Sequence, residues 1–346
     1  MGWSILVPWT MLVAVVSRAV FCGPYPRTFG TIYSSNGYFH FADKTYQQQY
    51  NYYQTVNVRS PESTKNAKII ETAKLASTNE INPDSSGPEA VSFSYRDEDA
   101  FGPSNWGALN SNCNGLYQSP IDLVTNRTLV VRQKRPLRLD GLSNRPWQMD
   151  VENEGGSAAF FPEYRASERP RLSGGPLKTD YLFQQFHYHL GSEHTFEGKR
   201  YAAEAHFVFF NSLYETFGEA RGQVDGIAVI AVVYDVLKSD RIKSLNNWTR
   251  FLTKVVKDGS VYEVSPYGLF PLGDVLGSVQ WPYYAYEGSF TTPPCAETVQ
   301  WIVASERVPL TKSELVRMRN LEGRGGRWVQ NARPTQARNY RRVFIY

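Results

Sequence analysis

Four stretches of the chain, 181–190, 201–210, 226–233 and 299–304, gather β-branched and aromatic residues over lengths that suit strands. Short runs of Gly, Pro, Asn and Asp separate the apolar segments and act as turns. Helical patterning is scarcer, chiefly over 237–256 and 312–319. The pattern predicts a mainly β (α+β) domain with a few peripheral helices. Its regularity begins near Phe93, which places the folded domain at 91–346. Residues 20–90 lack sustained apolar periodicity. Tyr46-Gln47-Gln48-Gln49-Tyr50 leads into a Ser, Thr, Asn, Lys and Pro-rich run, the composition of a disordered low-complexity extension.

The first sixteen residues are apolar, are interrupted by Pro8, and are followed by Ser17-Arg18-Ala19. They read as a signal peptide at 1–19, cut near Ala19, and not as a span. No second long apolar run follows, and the charged end Arg341-Arg342-Val343-Phe344-Ile345-Tyr346 carries no lipid-anchor signal. A secreted, extracellular product with no membrane anchor is expected. In that compartment Asn126-Arg127-Thr128 and Asn247-Trp248-Thr249 are glycosylation acceptors. Of the three cysteines Cys22 lies at the signal boundary, which leaves Cys113 and Cys295 as the natural disulfide pair.

Composition changes this picture little. Hydrophobic residues at 42% and aromatic ones at 14% supply a sizeable core. A net charge of +4 makes no case for nucleic acid. The charge is uneven, however. Arg317, Arg319, Arg324, Arg327, Arg333, Arg338, Arg341 and Arg342 crowd the C-terminal end, a face for an acidic glycan or matrix partner or simply a solvated basic surface.

The chemistry concentrates in one place. Four of the five histidines fall within Gln185-Phe186-His187-Tyr188-His189, Ser192-Glu193-His194 and Glu204-Ala205-His206. Side chains alternate along a strand, so His187 and His189 share a face with Gln185, and Glu204, His206 and Val208 share another. If residues 191–200 return the chain, the two faces meet and three imidazoles converge. Three neutral imidazoles leave a tetrahedral Zn²⁺ one open position for water, the arrangement of a catalytic site. Gln185 and Glu204 stand two residues before His187 and His206, placed to hold their other ring nitrogens.

The run from Gln185 to Asn211 resembles the zinc-binding core of the α-class carbonic anhydrases. Phe93-Ser94-Tyr95, Gln118-Ser119-Pro120-Ile121, Asp225-Gly226-Ile227-Ala228-Val229, Gly288-Ser289-Phe290-Thr291-Thr292-Pro293-Pro294 and Asn331-Ala332-Arg333-Pro334 resemble further blocks of that family, in the same order. The resemblance implies a large, twisted, mostly antiparallel sheet with zinc at the base of a conical cleft, and reversible hydration of carbon dioxide to bicarbonate by zinc hydroxide. It implies that Thr291 accepts a hydrogen bond from that hydroxide and passes its own proton to Glu193. It further implies that Thr292 contacts bicarbonate, that the Asn331 carbonyl anchors His189, and that Val208, Val229, Val299 and Phe290 form the apolar substrate wall. Extracellular members of the family pair cysteines at the positions of Cys113 and Cys295.

Three positions depart from the family pattern. Asn153-Glu154-Gly155-Gly156-Ser157 carries glycine where a proton-shuttling histidine is common, Phe290 replaces a leucine, and Leu190 a tryptophan. Slow proton transfer is therefore expected. The competing reading is a secreted matrix or interaction protein whose carbonic anhydrase-like domain is weakly active or inactive. A zinc peptidase is disfavoured because His-Glu-x-x-His is missing.

Overall fold

The computed structural model describes residues 31–35, 38–42, 93–132, 135–236, 246–277, 282–323, 326–327 and 331–346. The chain forms two units, residues 1–60 and 61–346. In the first, β1 (Thr31–Ser35) and β2 (Tyr38–Ala42) make an antiparallel hairpin inside the stretch read as an extension. The signal segment and Cys22 lie outside the described residues.

The second unit begins with β3 (Asp122–Leu123), β4 (Leu129–Val130), β5 (Arg138–Asp140), β6 (Gln148–Asn153), β7 (Ala158–Glu163), β8 (Arg171–Ser173) and β9 (Tyr181–Leu190). It continues through β10 (Thr195–Phe196), β11 (Ala203–Asn211), β12 (Ile227–Val236), β13 (Val261–Glu263), β14 (Tyr283–Gly288) and β15 (Val299–Leu310) to β16 (Glu322–Gly323), β17 (Gly326–Arg327) and β18 (Phe344–Ile345). Twelve of these strands form one sheet. Its main path runs β13-β6-β7-β9-β11-β12-β15-β14-β18-β4, and β8 joins β9 to β5 at the side. Pairing in the sheet is antiparallel except at β12·β15 and β18·β4.

The central strands are apolar on both faces because both are covered. One face carries Phe186, Tyr188, Phe207, Ile230 and Ile302, packed against Trp248, Leu252, Leu315 and Met318. The other carries Val208, Val229, Val299 and Trp301 together with Ile121, Leu123 and Phe196. A β-bulge between these neighbours shifts the register of β9 on β11, from Gln185 opposite Val208 to Phe183 opposite Phe209. The extra residue, Gln184, changes the parity, so Tyr181 and Phe183 join the core of Phe186 and Tyr188.

The helix expected at 312–319 forms at Lys312–Arg319 behind a capping box. Thr311 Oγ1 accepts from the Glu314 N–H, and Glu314 Oε2 accepts from the Thr311 N–H at 2.7 Å. Glu314 is fully buried, and its Oε1 also accepts from the Asn246 N–H at 2.9 Å. Glu314→Ala would strand two N–H groups, so a loss of about 2–4 kcal/mol is expected, measured as a lower denaturant midpoint. The expectation at 237–256 needs correction. Residues 237–245 lie outside the described set, and Asn247–Lys254 is a 3₁₀ helix and not an α-helix. Thr249 and Thr253 turn their hydroxyls onto the carbonyls three residues back, at 2.9 and 2.8 Å, and the segment is rich in β-branched and aromatic residues that lower α-helix propensity.

Candidate metal centre

Register decides the centre. β9 and β11 pair antiparallel with His187 opposite His206 and His189 opposite Glu204. The connection between them closes as a hairpin: the Gly191 N–H donates to Ala202 O at 2.8 Å and the Ser192 N–H to Tyr201 O at 3.0 Å. Gly191 sits at φ 77°, a backbone conformation open to glycine. The ligand nitrogens of His187, His189 and His206 lie within 4.8 Å of one another. His189 and His206 are buried, and His187 is partly exposed, so the cluster opens on the His187 side.

Each ring is held from behind by an acceptor. Nδ1 of His187 lies 3.0 Å from Gln185 Oε1, Nδ1 of His189 lies 2.9 Å from Asn331 O, and Nε2 of His206 lies 2.8 Å from Glu204 Oε1. An amide oxygen, a carbonyl and a carboxylate can only accept, so each of these nitrogens carries the ring proton. The inward nitrogens, Nε2, Nε2 and Nδ1, are then bare lone pairs, and those of His189 and His206 stand only 3.2 Å apart. Converging lone pairs with no proton between them call for a cation, and the donor set is the one zinc takes in open catalytic sites. Burial, and then the neighbouring imidazoles, push His187 well below the usual histidine range. Burial also lowers His189, against the opposing pull of Glu193. These shifts favour the neutral form of His187 and His189, the form in which an imidazole can bind a metal.

Asn331 does more than its carbonyl shows. Its Oδ1 accepts from the Leu190 N–H at 2.5 Å, and its Nδ2 donates to Gly156 O at 2.9 Å, joining the end of β9 to the β6–β7 turn. Glu193 is fully buried. Its Oε1 accepts from the Arg333 N–H at 2.8 Å, while Oε2 has no hydrogen-bond partner among the described residues and lies 3.6 Å from His189 Nε2. Thr291 is buried and Thr292 partly exposed, in the turn where the Cys295 N–H donates to Thr292 O at 2.8 Å. Cys295 is bonded to Cys113, 182 positions away. Val208, Val229, Val299 and Phe290 lie together in the cluster on the histidine side of the sheet.

Sequence reasoning placed Glu204 behind His206 but assigned no role to His194, Tyr286 or Ser119, which continue the network beyond it. Glu204 Oε1 also lies 2.6 Å from His194 Nδ1, and its Oε2 accepts from the His194 N–H at 2.8 Å. His194 Nε2 lies 2.6 Å from the Tyr286 hydroxyl, which is 3.0 Å from Ser119 Oγ. Burial alone would raise the Glu204 carboxyl, but the imidazoles of His194 and His206 outweigh it and hold the group far below the usual carboxylate range. His194, Glu204 and His206 form a second close group, already engaged in these bonds. Arg333 is a buried guanidinium whose Nη1 donates to Gln118 Oε1 at 2.9 Å and Ser119 O at 2.8 Å, with its charge 5.2 Å from the Trp106 ring centre. Burial pushes it down to about 10.

Comparison with known proteins agrees with this geometry. The family profile described as eukaryotic-type carbonic anhydrase matches residues 101–346. Carbonic anhydrase 6 of Mus musculus is 32% identical over 269 residues, 72% of this chain and 80% of that protein. Carbonic anhydrase 3 of Homo sapiens is 33% identical over 265 residues, 70% of this chain and 94% of that protein. Carbonic anhydrase 7 of Homo sapiens is 33% identical over 231 residues, 64% and 83% of the two chains. With the matched profile spanning both imidazole strands and Asn331, the chain belongs to the eukaryotic-type carbonic anhydrase family and is a zinc-dependent carbonate dehydratase.

Proposed function

We propose that the chain hydrates carbon dioxide reversibly to bicarbonate and a proton outside the cell, with zinc held by His187, His189 and His206, and that release of the proton limits its turnover. The observation that carries the reading is the convergence of three imidazole lone pairs, each ring fixed from behind by an acceptor. Zinc, when bound, acts as a Lewis acid that lets a water lose its proton near neutral pH, behaviour for which carbonic anhydrases are the standard example. The residues around it orient and admit reactants. Glu193 Oε2, buried and without a hydrogen-bond donor among the described residues, is available to accept from the Thr291 hydroxyl, which would leave the Thr291 oxygen to fix a proton of the nucleophile. Val208, Val229, Val299 and Phe290 offer an apolar wall to a substrate without net charge, and Thr292 a polar contact for the product.

The extracellular setting rests on the apolar N-terminal run, the Cys113–Cys295 disulfide and the exposed sequon asparagines Asn126 and Asn247, which would carry glycans. No helix among the described residues is long and apolar enough to cross a membrane. Zinc content and carbon dioxide hydration, measured together with and without a strong chelator, test the catalytic reading. A zinc-loaded protein with no chelator-sensitive hydration would overturn it.

Slow proton release follows from the turn at Gly156. In the second unit the described histidines are the three ligands and His194, both of whose ring nitrogens are engaged; the remaining histidine, His40, lies on β2 in the first unit. Among the described residues of the second unit no imidazole is left to carry a proton outward. Added imidazole buffers are expected to raise kcat on the order of tenfold while kcat/KM stays level, since the latter reports attack and not regeneration. A Cβ at Gly156 would meet the Phe93 and Tyr95 rings at 3.8 and 3.9 Å, ordinary contact, so Gly156→His should fold and reproduce part of that gain. A high kcat that ignores buffer concentration in the unaltered protein would show another group moving the proton.

A further inference from the structure

Two stretches of the sequence carry positive charge with no acidic residue among them. Residues 125–139 hold four arginines and one lysine, and residues 323–346 hold six arginines. Together they contain eleven of the chain's 37 Lys and Arg and none of its 33 Asp and Glu, so the remaining residues hold 26 basic against 33 acidic side chains. The fold sets the two stretches side by side. β18 pairs in parallel with β4, Phe344 beside Leu129 and Ile345 beside Val130. The Leu129 N–H donates to Val343 O and the Val131 N–H to Ile345 O, both at 2.9 Å. Arg338 Nη1 donates to Arg127 O at 2.7 Å. β4 is the terminal strand on this side of the sheet, so the charge lies along an edge.

Burial sorts these arginines. Arg333 lies in the core against Trp106, and Arg341 is 5% exposed and bonded to the carbonyls of Ala337, Arg338 and Glu287. Arg127, Arg132 and Arg342 are exposed at the edge, and Arg338 is partly so. Among the described residues none of these four lies within 4.0 Å of a carboxylate; the Arg–carboxylate pairs that form are elsewhere, Arg165–Glu168 and Arg171–Asp180. Two acidic residues near this edge are already engaged: Glu197 Oε1 accepts from the Thr125 N–H at 2.8 Å and Glu297 Oε1 from the Tyr117 N–H at 2.7 Å. Arg127 and Arg132 flank an edge strand whose Leu129 and Val130 are themselves exposed. Like charges at both ends of such a strand oppose pairing with a second copy in antiparallel register.

We propose that the β4–β18 edge binds a sulfated polysaccharide. Arg127 ends the 3₁₀ turn Thr125–Arg127 just before β4 and Arg132 follows just after it, so guanidinium groups stand at both ends of the edge strand, an arrangement suited to a linear polyanion with charges spaced along its length. The charges are guanidinium forks, which grip a sulfate through two parallel hydrogen bonds where an ammonium offers a point charge. The choice of a polysaccharide rests on the extracellular reading given above, since nucleic acids and cytoplasmic lipids lie on the other side of the membrane. The proposal deepens that reading by giving the secreted enzyme a means of being held in a sulfated matrix.

Heparin is the probe, titrated against the full zinc-loaded chain after enzymatic removal of N-glycans, because Asn126 adjoins Arg127. The combined variant Arg127→Ser, Arg132→Ser and Arg342→Ser is expected to bind heparin at least tenfold more weakly at physiological salt. Its slope of log Kd against log salt should fall by roughly two to three, about one per arginine removed. Arg317→Ser with Arg319→Ser, on the helix Lys312–Arg319, is expected to leave affinity within twofold. Zinc content and hydration rate, read on the same samples, should match the unaltered protein in both variants, which separates this test from that of the catalytic reading. Equal weakening by the two variants would reduce the effect to net charge and overturn the proposal. So would equal or tighter binding of desulfated heparin, or a preference for polyaspartate, which would point to an acidic protein.

Discussion

His206→Ala is expected to yield a folded protein without zinc, with carbon dioxide hydration reduced on the order of 10³–10⁴-fold or more. The magnitude follows from the nucleophile, because without the metal the water at this site returns to the very weak acidity of bulk water and hydroxide is scarce at neutral pH. The site offers no substitute ligand. His194 is turned away to Glu204 and Tyr286, and His187 and His189 alone leave half of a tetrahedral shell open. Gln185→Ala gives the graded counterpart. It removes the acceptor 3.0 Å from His187 Nδ1, frees the ring to turn, and should weaken zinc binding by about 10–100-fold with the ligands intact. Metal analysis and stopped-flow hydration on both variants check the pair. Full zinc occupancy in His206→Ala would remove the basis of the assignment.

The second large effect is on stability. Cys113→Ser with Cys295→Ser opens a loop of 182 residues, and the chain-entropy relation gives about 5 kcal/mol for its closure. Both cysteines are buried, in a small cluster with Trp106 that also gathers Phe93 and Tyr95. Serine hydroxyls there would add a desolvation cost of about 1–3 kcal/mol where they find no partner. A fall of that order in unfolding free energy is expected by chemical denaturation. The turn holding Thr291 is tied to the same crosslink through Cys295, so hydration should become sensitive to temperature before global unfolding. Unreduced peptide mapping that recovers both thiols free would contradict the crosslink itself.

Much of the centre was legible because strand alternation is local. Gln185, His187 and His189 on β9, and Glu204 and His206 on β11, follow from period two alone, and a hairpin turn brings them together. The sequence blocks around Asn331 and Glu193 placed those residues only through resemblance, since no periodicity links positions 142 or 140 apart. The bulge at Gln184 was not legible. Odd-numbered alternation continued backwards would put Phe183 with His187, whereas the extra residue puts it with Phe186. Nor was Arg333: a run of arginines reads as surface, yet this one is buried against Trp106, and Arg341 is buried between carbonyl groups. The 3₁₀ segment at Asn247–Lys254 escaped because an amphipathic pattern constrains which face is buried, while hydroxyls bonding back three residues decide how tightly the turn winds.

The bond from His189 to Asn331 also sets an order of events during synthesis. All three imidazoles emerge from the ribosome well before residue 331 is made, and the hairpin that presents them needs only residues up to 211. Asn331, which fixes the proton on His189 and joins Leu190 to Gly156, follows 142 positions after His189. The nascent hairpin can thus gather metal while one of its rings is still free to take either tautomer, and the final few residues of the chain convert a loose ligand set into an oriented one. Premature termination before residue 331 would therefore leave a protein that holds zinc poorly, although every zinc ligand is present in it.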